Sequence, residues 1–190
     1  MRVKDELKQD ALFNATIKLV NEIGFVASSV SKIAHEAEIS PATIYVYYEN
    51  KEDLIVSTYI DIKQRLSKAI LQDFDDSLPI RDILKNLWIN MFKYIDSHPN
   101  YIQFSEQFAN SPYSSLVNKP EVEGYFEPIL RVLNRGIEEK IIKNVCFDIL
   151  ATFIFYPIMT LSNQRTCKDF VRNEENIETA FTLAWDAIKL

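Results

Sequence analysis

Apolar residues recur along this chain at three- and four-residue spacings, the periodicity of helices packed on one face. Leu12, Ala15, Leu19 and Ile23 share a face of a helix predicted over residues 5–23, with Phe13, Ile17 and Val20 beside them. Gly24 is the expected stop at its C-terminal end. Two short helical patterns follow within residues 28–54, and a longer helix is predicted from residue 51 to about 73, ending at Asp75-Asp76-Ser77-Leu78-Pro79. Ile80, Ile83, Leu84, Leu87, Trp88, Met91, Phe92 and Ile95 form a wide stripe over residues 80–96, broken by Ser97-His98-Pro99. A shorter helix carries Tyr101, Phe104 and Phe108, and residues 113–120 read as a surface loop. Residues 121–142 place Val122, Phe126, Ile129, Leu133, Ile137 and Ile141 on one side of a helix. Residues 145–162 are apolar nearly all round and need cover on two faces. Residues 174–190 are amphipathic through Ile177, Ala180, Phe181, Ala184, Trp185 and Ile188. The pattern is all-α, about nine helices, without repeats or low-complexity segments.

The stretch from residue 28 to 54 has the most specific local chemistry. Ser28 or Ser29 can cap a helix whose stripe is Ile33, Ala34 and Ala37. Small Ala37 lets a second helix approach closely. Glu38-Ile39-Ser40 makes a tight turn, with Ser40 as a second N-cap and Pro41 at the first helical position, where its missing N–H costs nothing. Ile44 and Tyr48 point one way, whereas Ala42, Thr43, Val46 and Tyr47 point elsewhere. Asn50 then caps a further helix, with Asp53 at the capping-box position. Two short helices joined by such a turn form a helix-turn-helix, whose second helix enters the DNA major groove.

Gly24-Phe25, Ser29-Val30, Ile33-Ala34, Ala37, Ile39-Ser40, Thr43-Ile44-Tyr45, Tyr47-Tyr48 and Asn50-Lys51-Glu52-Asp53-Leu54, in this order and spacing, resemble the DNA-binding domain of the TetR (tetracycline-repressor) family. The resemblance implies a helix-turn-helix DNA-binding domain over residues 1–54 and a helical ligand-binding and dimerisation domain over residues 55–190. It implies that Pro41, Ala42, Thr43 and Val46 meet base edges or the groove wall, and that Tyr45, Tyr47 and Lys51 bond phosphates. Ser29, Ser31 and Lys32 match further backbone or base contacts. Hydroxyls and helix N-termini suit phosphate, and apolar groups suit thymine methyls. The chain departs from the family at Glu38, where glycine is usual; glutamate adopts positive φ only at a cost.

Charge pulls the other way. The 190 residues carry a net charge of −6, and six basic against nine acidic residues leave the first 54 at −3. That argues against strong non-specific DNA affinity. With Glu38, it favours a competing reading: a helical small-molecule-binding or interaction module whose DNA face has decayed. The two cysteines, Cys146 and Cys167, are expected as buried free thiols in a reducing cytoplasm. No secretory signal is read, and the apolar run 149–161 is shorter than the roughly 20 residues that span a bilayer, so no membrane partner is expected.

No catalytic pairing, phosphate loop or metal-ligand spacing is present, so neither enzyme activity, a cofactor nor a metal is expected. His35 is expected at the surface and His98 as a C-terminal helix cap. The resemblance implies a pocket for a small, largely apolar or aromatic effector, with Trp88, Phe92, Tyr101, Phe104, Phe108, Tyr125 and Phe126 as candidates. It also implies a homodimer built on the last two helices. Ile149, Phe153, Tyr156, Ile177, Phe181, Trp185 and Ile188 are candidates for that interface. The implied activity is that of a repressor that binds a palindromic operator as a dimer and is released by its effector.

Overall fold

The computed structural model describes residues 2–163 and 166–190, with side chains from residue 5 onward. Its helices are, in chain order, α1 (Arg2–Ala27), α2 (Val30–Glu36), α3 (Pro41–Tyr47), α4 (Lys51–Ile70), α5 (Ile80–Ser97) and α6 (Pro99–Ala109). After a 3-10 turn (Pro112–Leu116) come α7 (Lys119–Gly124), α8 (Glu127–Glu138), α9 (Phe147–Ile154), α10 (Tyr156–Ser162) and α11 (Glu174–Ile188). The only extended pairing among the described residues is one isolated bridge between Ile142 and Lys189. The chain is all-α.

Prolines account for the two places where a single expected helix is divided. Pro128 lies in the first turn of α8 and Pro157 in the first turn of α10. Without an N–H, neither can bond the carbonyl four residues back. Residues 113–120 are not an open loop but the 3-10 turn and the start of α7. His98 directly follows the last residue of α5 and is also the N-cap residue of α6, and its ring stacks on Tyr101 at 4.9 Å. The cysteines are free but not buried: Cys146 is exposed just before α9, and Cys167 is half-buried.

Two compact units are present, one of Met1–Gln64 with His98–Val122, the other of Arg65–Ser97 with Glu123–Leu190. In the first, α1 is a wall shared by two cores. Leu12 and Ala15 pack with Ile33, Ala34, Ala37, Ile44 and Leu54. Phe13, Ile17 and Val20 pack with Ile55, Ile62, Phe104 and Phe108. The path of α1 breaks at Gly24 (φ 76, ψ 169), a conformation open essentially to glycine, so the sequence stop falls where expected. In the second unit, α5 buries Ile83, Leu84, Leu87 and Trp88, and Trp88 meets Phe181 of α11 edge to face at 5.8 Å. Salt bridges from Lys85 to Glu178 and from Arg172 to Asp96 flank this core.

Glu38 has a φ of 56°, in the left-handed region. The turn keeps a glycine-type closure: Glu38 N donates to His35 O at 3.1 Å and Ile39 N to Ala34 O at 2.9 Å. Its side chain is exposed, so nothing visible offsets the backbone cost. Glu38→Gly is expected to stabilise the protein by about 0.5–1 kcal/mol, the left-handed penalty less the extra freedom of an unfolded glycine. The thermal midpoint should rise by roughly 2–4 °C. A lower midpoint would show that the glutamate side chain holds the turn.

Candidate functional site

The site is built on α2, the turn and α3. Ser29 Oγ accepts the Lys32 amide at 3.3 Å and thereby caps α2. Ser28 is instead buried, its hydroxyl donating to Gly24 O at 2.7 Å. Ser40 Oγ accepts the Thr43 amide at 3.2 Å and lies 2.9 Å from the Thr43 hydroxyl. Thr43 is thus oriented by its own cap. Ile44, at 0% exposure, anchors α3 to the core, and Tyr47 and Tyr48 pack at its edge. One anchored side leaves the other free: Pro41 and Ala42 are exposed, Tyr45 is 57% exposed and Val46 75%. At the start of α4 the Asp53 amide donates to Asn50 Oδ1 at 2.8 Å, and Asp53 Oδ2 accepts the Glu49 amide at 2.9 Å.

Three of the expected phosphate donors are already engaged within the chain. Lys51 Nζ donates to Phe25 O at 2.6 Å, and Lys32 Nζ to Ala27 O at 3.0 Å, which also accepts the Ser29 amide at 3.1 Å, so both lysines bond carbonyls where α1 ends. Tyr47 donates its phenol hydrogen to Asp5 Oδ1 at 2.9 Å, and this bond raises the phenol above its ordinary pKa. Ser29 and Ser31 are exposed beside Lys32. Lys18 and Glu36, 2.6 Å apart, tie α1 to α2. Asp5 gave no signal in the sequence, because its partner lies 42 residues away.

The aromatic candidates fall into two groups. Phe104 and Phe108 are buried in the first unit, with Phe25 5.7 Å from Phe104 and 6.3 Å from Phe108; Tyr101 meets Phe13 at 5.3 Å. Phe108 also stacks on Tyr59 of α4, at 4.1 Å and 9°. Trp88 and Phe92 are buried in the second unit, 5.8 Å apart, with Tyr125 and Phe126 half-buried there. The indole N–H of Trp88 is buried with no acceptor among the described residues. Phe92 lines a cavity of about 500 Å³ with Lys85, Ile89, Arg172 and Ile177. Lys63 was missed at the sequence level. It lies on α4 with Nζ 5.2 Å from the centre of the Tyr59 ring. A lysine four residues after Tyr59, beside the Ile55, Ile62 and Leu66 stripe, was the available signal.

The candidate interface residues divide by burial. Ile149 (47%), Phe153 (51%) and Tyr156 (61%) recur at helical spacing on the exposed side of α9 and α10, and Phe147 and Leu183 are exposed as well. Leu150, Ile154 and Ile158 take the opposite, buried face. Phe181, Trp185 and Ile188 are buried inside their own chain, and Ile177 is half-buried. Periodicity identified α11 as amphipathic but not what its apolar side meets; α5 and α9 occupy it.

Among the described residues no group of His, Cys, Asp or Glu is placed to hold a metal, and no helix is long and apolar enough to cross a membrane.

Comparison with known proteins covers nearly the whole chain. Residues 12–58 match the family described as bacterial regulatory proteins, tetR family. Residues 79–189 match the tetracyclin repressor-like, C-terminal domain. The chain is 39% identical over 186 residues to YdeS of Bacillus subtilis, an uncharacterized HTH-type transcriptional regulator, covering 90% of each. It superposes on a TetR family transcription regulator from Marinobacter aquaeolei VT8 with a TM-score of 0.91 and 33% identity, over 100% of this chain and 99% of that one. The transcriptional regulator FadR of Bacillus subtilis, in complex with stearoyl-CoA, shares the fold at a TM-score of 0.63 and 18% identity, over 94% and 96%.

Proposed function

This chain belongs to the TetR family of DNA-binding transcriptional regulators, and from that premise we propose that it is a dimeric repressor released from a palindromic operator by a small, largely apolar or aromatic effector. The observation that carries the reading is α3, fixed to the core through Ile44 with Ala42, Tyr45 and Val46 turned outward. In this reading residues 1–54 are the DNA-binding part, and residues 55–190 bind effector and dimerise in the cytoplasm. Pro41, Ala42, Thr43 and Val46 read the groove, and Tyr45, Tyr47, Lys51, Ser29, Ser31 and Lys32 hold the backbone. No arginine, asparagine or glutamine lies on α3, so discrimination rests on Thr43, methyl contacts and DNA shape.

The apolar face of Ile149, Phe153 and Tyr156 supports a two-fold interface, since monomers rarely leave so continuous a patch in water. A dimer also spaces two recognition helices about one DNA turn, ~34 Å, apart. A ligand that binds better to a state with differently spaced heads lowers DNA affinity by linkage. The complex of FadR with stearoyl-CoA supports an effector with a long apolar part.

Selection from random duplexes at about physiological salt tests the core of this reading, because non-specific binding is then weak, with Kd of roughly 10⁻⁴ to 10⁻⁶ M. An inverted repeat should be enriched, and Thr43→Ala with Tyr45→Ala should abolish the enrichment without unfolding the head. Failure to enrich any sequence, even at low salt, would favour the non-DNA interaction module, the reading that the acidic head supports.

A further inference from the structure

We infer that the effector carries an anionic oxygen group, a carboxylate or a phosphate ester, and that Lys63 receives it; the inference rests on the effector-binding reading above. Three described lysines are half-buried. Lys51 donates to the Phe25 carbonyl and Lys85 pairs with Glu178. Lys63 has neither a carboxylate nor a carbonyl among the described residues, only the face of Tyr59 at 5.2 Å. A ring face attracts a cation but offers no acceptor to the three N–H donors of an ammonium.

The surroundings point to a ligand rather than to simple stem packing. Tyr59 stacks on Phe108, so the ammonium ends a column of two aromatic rings, one of them a candidate effector contact. The ammonium is the charged group at the end of that column, where it would select the headgroup of a bound effector. Burial lowers the Lys63 ammonium below the ordinary lysine value, and no neighbouring acid opposes the shift. A half-buried cation without a counter-ion favours whatever brings one. A neutral effector leaves that charge unmatched, and a cationic effector is repelled.

The test is calorimetric titration of the full-length protein with decanoate, decyl phosphate and 1-decanol, probes that share a tail and differ in headgroup. The wild type should bind one of the anions at least about tenfold more tightly than the alcohol, as a charge-assisted hydrogen bond requires. The tighter anion distinguishes carboxylate from phosphate. Lys63→Met should erase the anion preference while decanol affinity stays within about twofold. Lys63→Arg should retain the preference. The ligand-free Lys63→Met protein should also melt higher, since a half-buried charge is gone, which shows that the variant folds. Equal affinity of the wild type for anions and alcohol, or an anion preference that survives in Lys63→Met, overturns the role of Lys63 and leaves the effector-binding reading standing. Binding of none of the three probes removes the effector reading itself, and this inference with it.

Discussion

Ile149→Glu with Phe153→Glu is expected to yield a folded monomer whose operator affinity falls by at least about a thousandfold. Both side chains are roughly half exposed on one face of α9, so glutamate is accommodated in the isolated chain. In a two-fold interface the same substitutions bring like charges together in a drying environment, where an unpaired ion costs several kcal/mol. A monomer presents one recognition helix instead of two. Its affinity should then drop from the range of specific complexes, about 10⁻⁸ to 10⁻¹¹ M, toward the non-specific range of 10⁻⁴ to 10⁻⁶ M. Analytical ultracentrifugation reads the first effect and titration of the selected operator the second. A dimer that persists in the variant would move the interface elsewhere. Truncating Phe181 or Trp185 is the useful contrast, because these buried side chains should affect folding before association.

Ile44→Ala should cost about 2–5 kcal/mol, the range for emptying a buried isoleucine site. The side chain is completely buried among Leu12, Ile33, Ala34 and Leu54, and it is the buried residue of α3. A seven-residue helix has little stability of its own, so losing its anchor releases the recognition surface. Against a total stability of about 5–15 kcal/mol, such a loss removes a large part of the margin that keeps the head folded. Val46→Ala, on the exposed side of the same helix, should leave the melting temperature unchanged and alter only operator affinity. Hydrogen exchange resolved along the chain separates the two variants. Uniform protection in Ile44→Ala would show that α3 is held by other contacts.

Local chemistry made the head legible in the sequence. Ser40, Pro41 and Asn50 announce their caps within four residues, and Ile44 repeats with Tyr48 at a helical spacing. Such signals need no distant partner. The second half was legible only as helices, because a stripe of apolar residues says that a face is covered but not by what. Phe181 and Phe153 have the same character in the sequence, yet one is fully buried and the other half exposed. Trp88 and Phe104 likewise look alike, but they sit in different units. Tyr47 with Asp5 and Lys63 with Tyr59 escaped for complementary reasons, the first a contact across 42 residues, the second a charge hidden in an apolar stripe.

If Tyr47 bonds a DNA phosphate as proposed, its bond to Asp5 bears on how the protein would search a genome. A DNA phosphate that approaches this phenol must displace a carboxylate of the same sign and similar acceptor strength. At a random sequence the exchange returns little, and the net charge of −3 over residues 1–54 adds repulsion. Only when α3 docks in register do the remaining contacts carry the exchange through. Residence on random DNA is then brief and sliding short. On that reading the protein would sample its targets by repeated hops through solution, with little of its population held on the chromosome between visits.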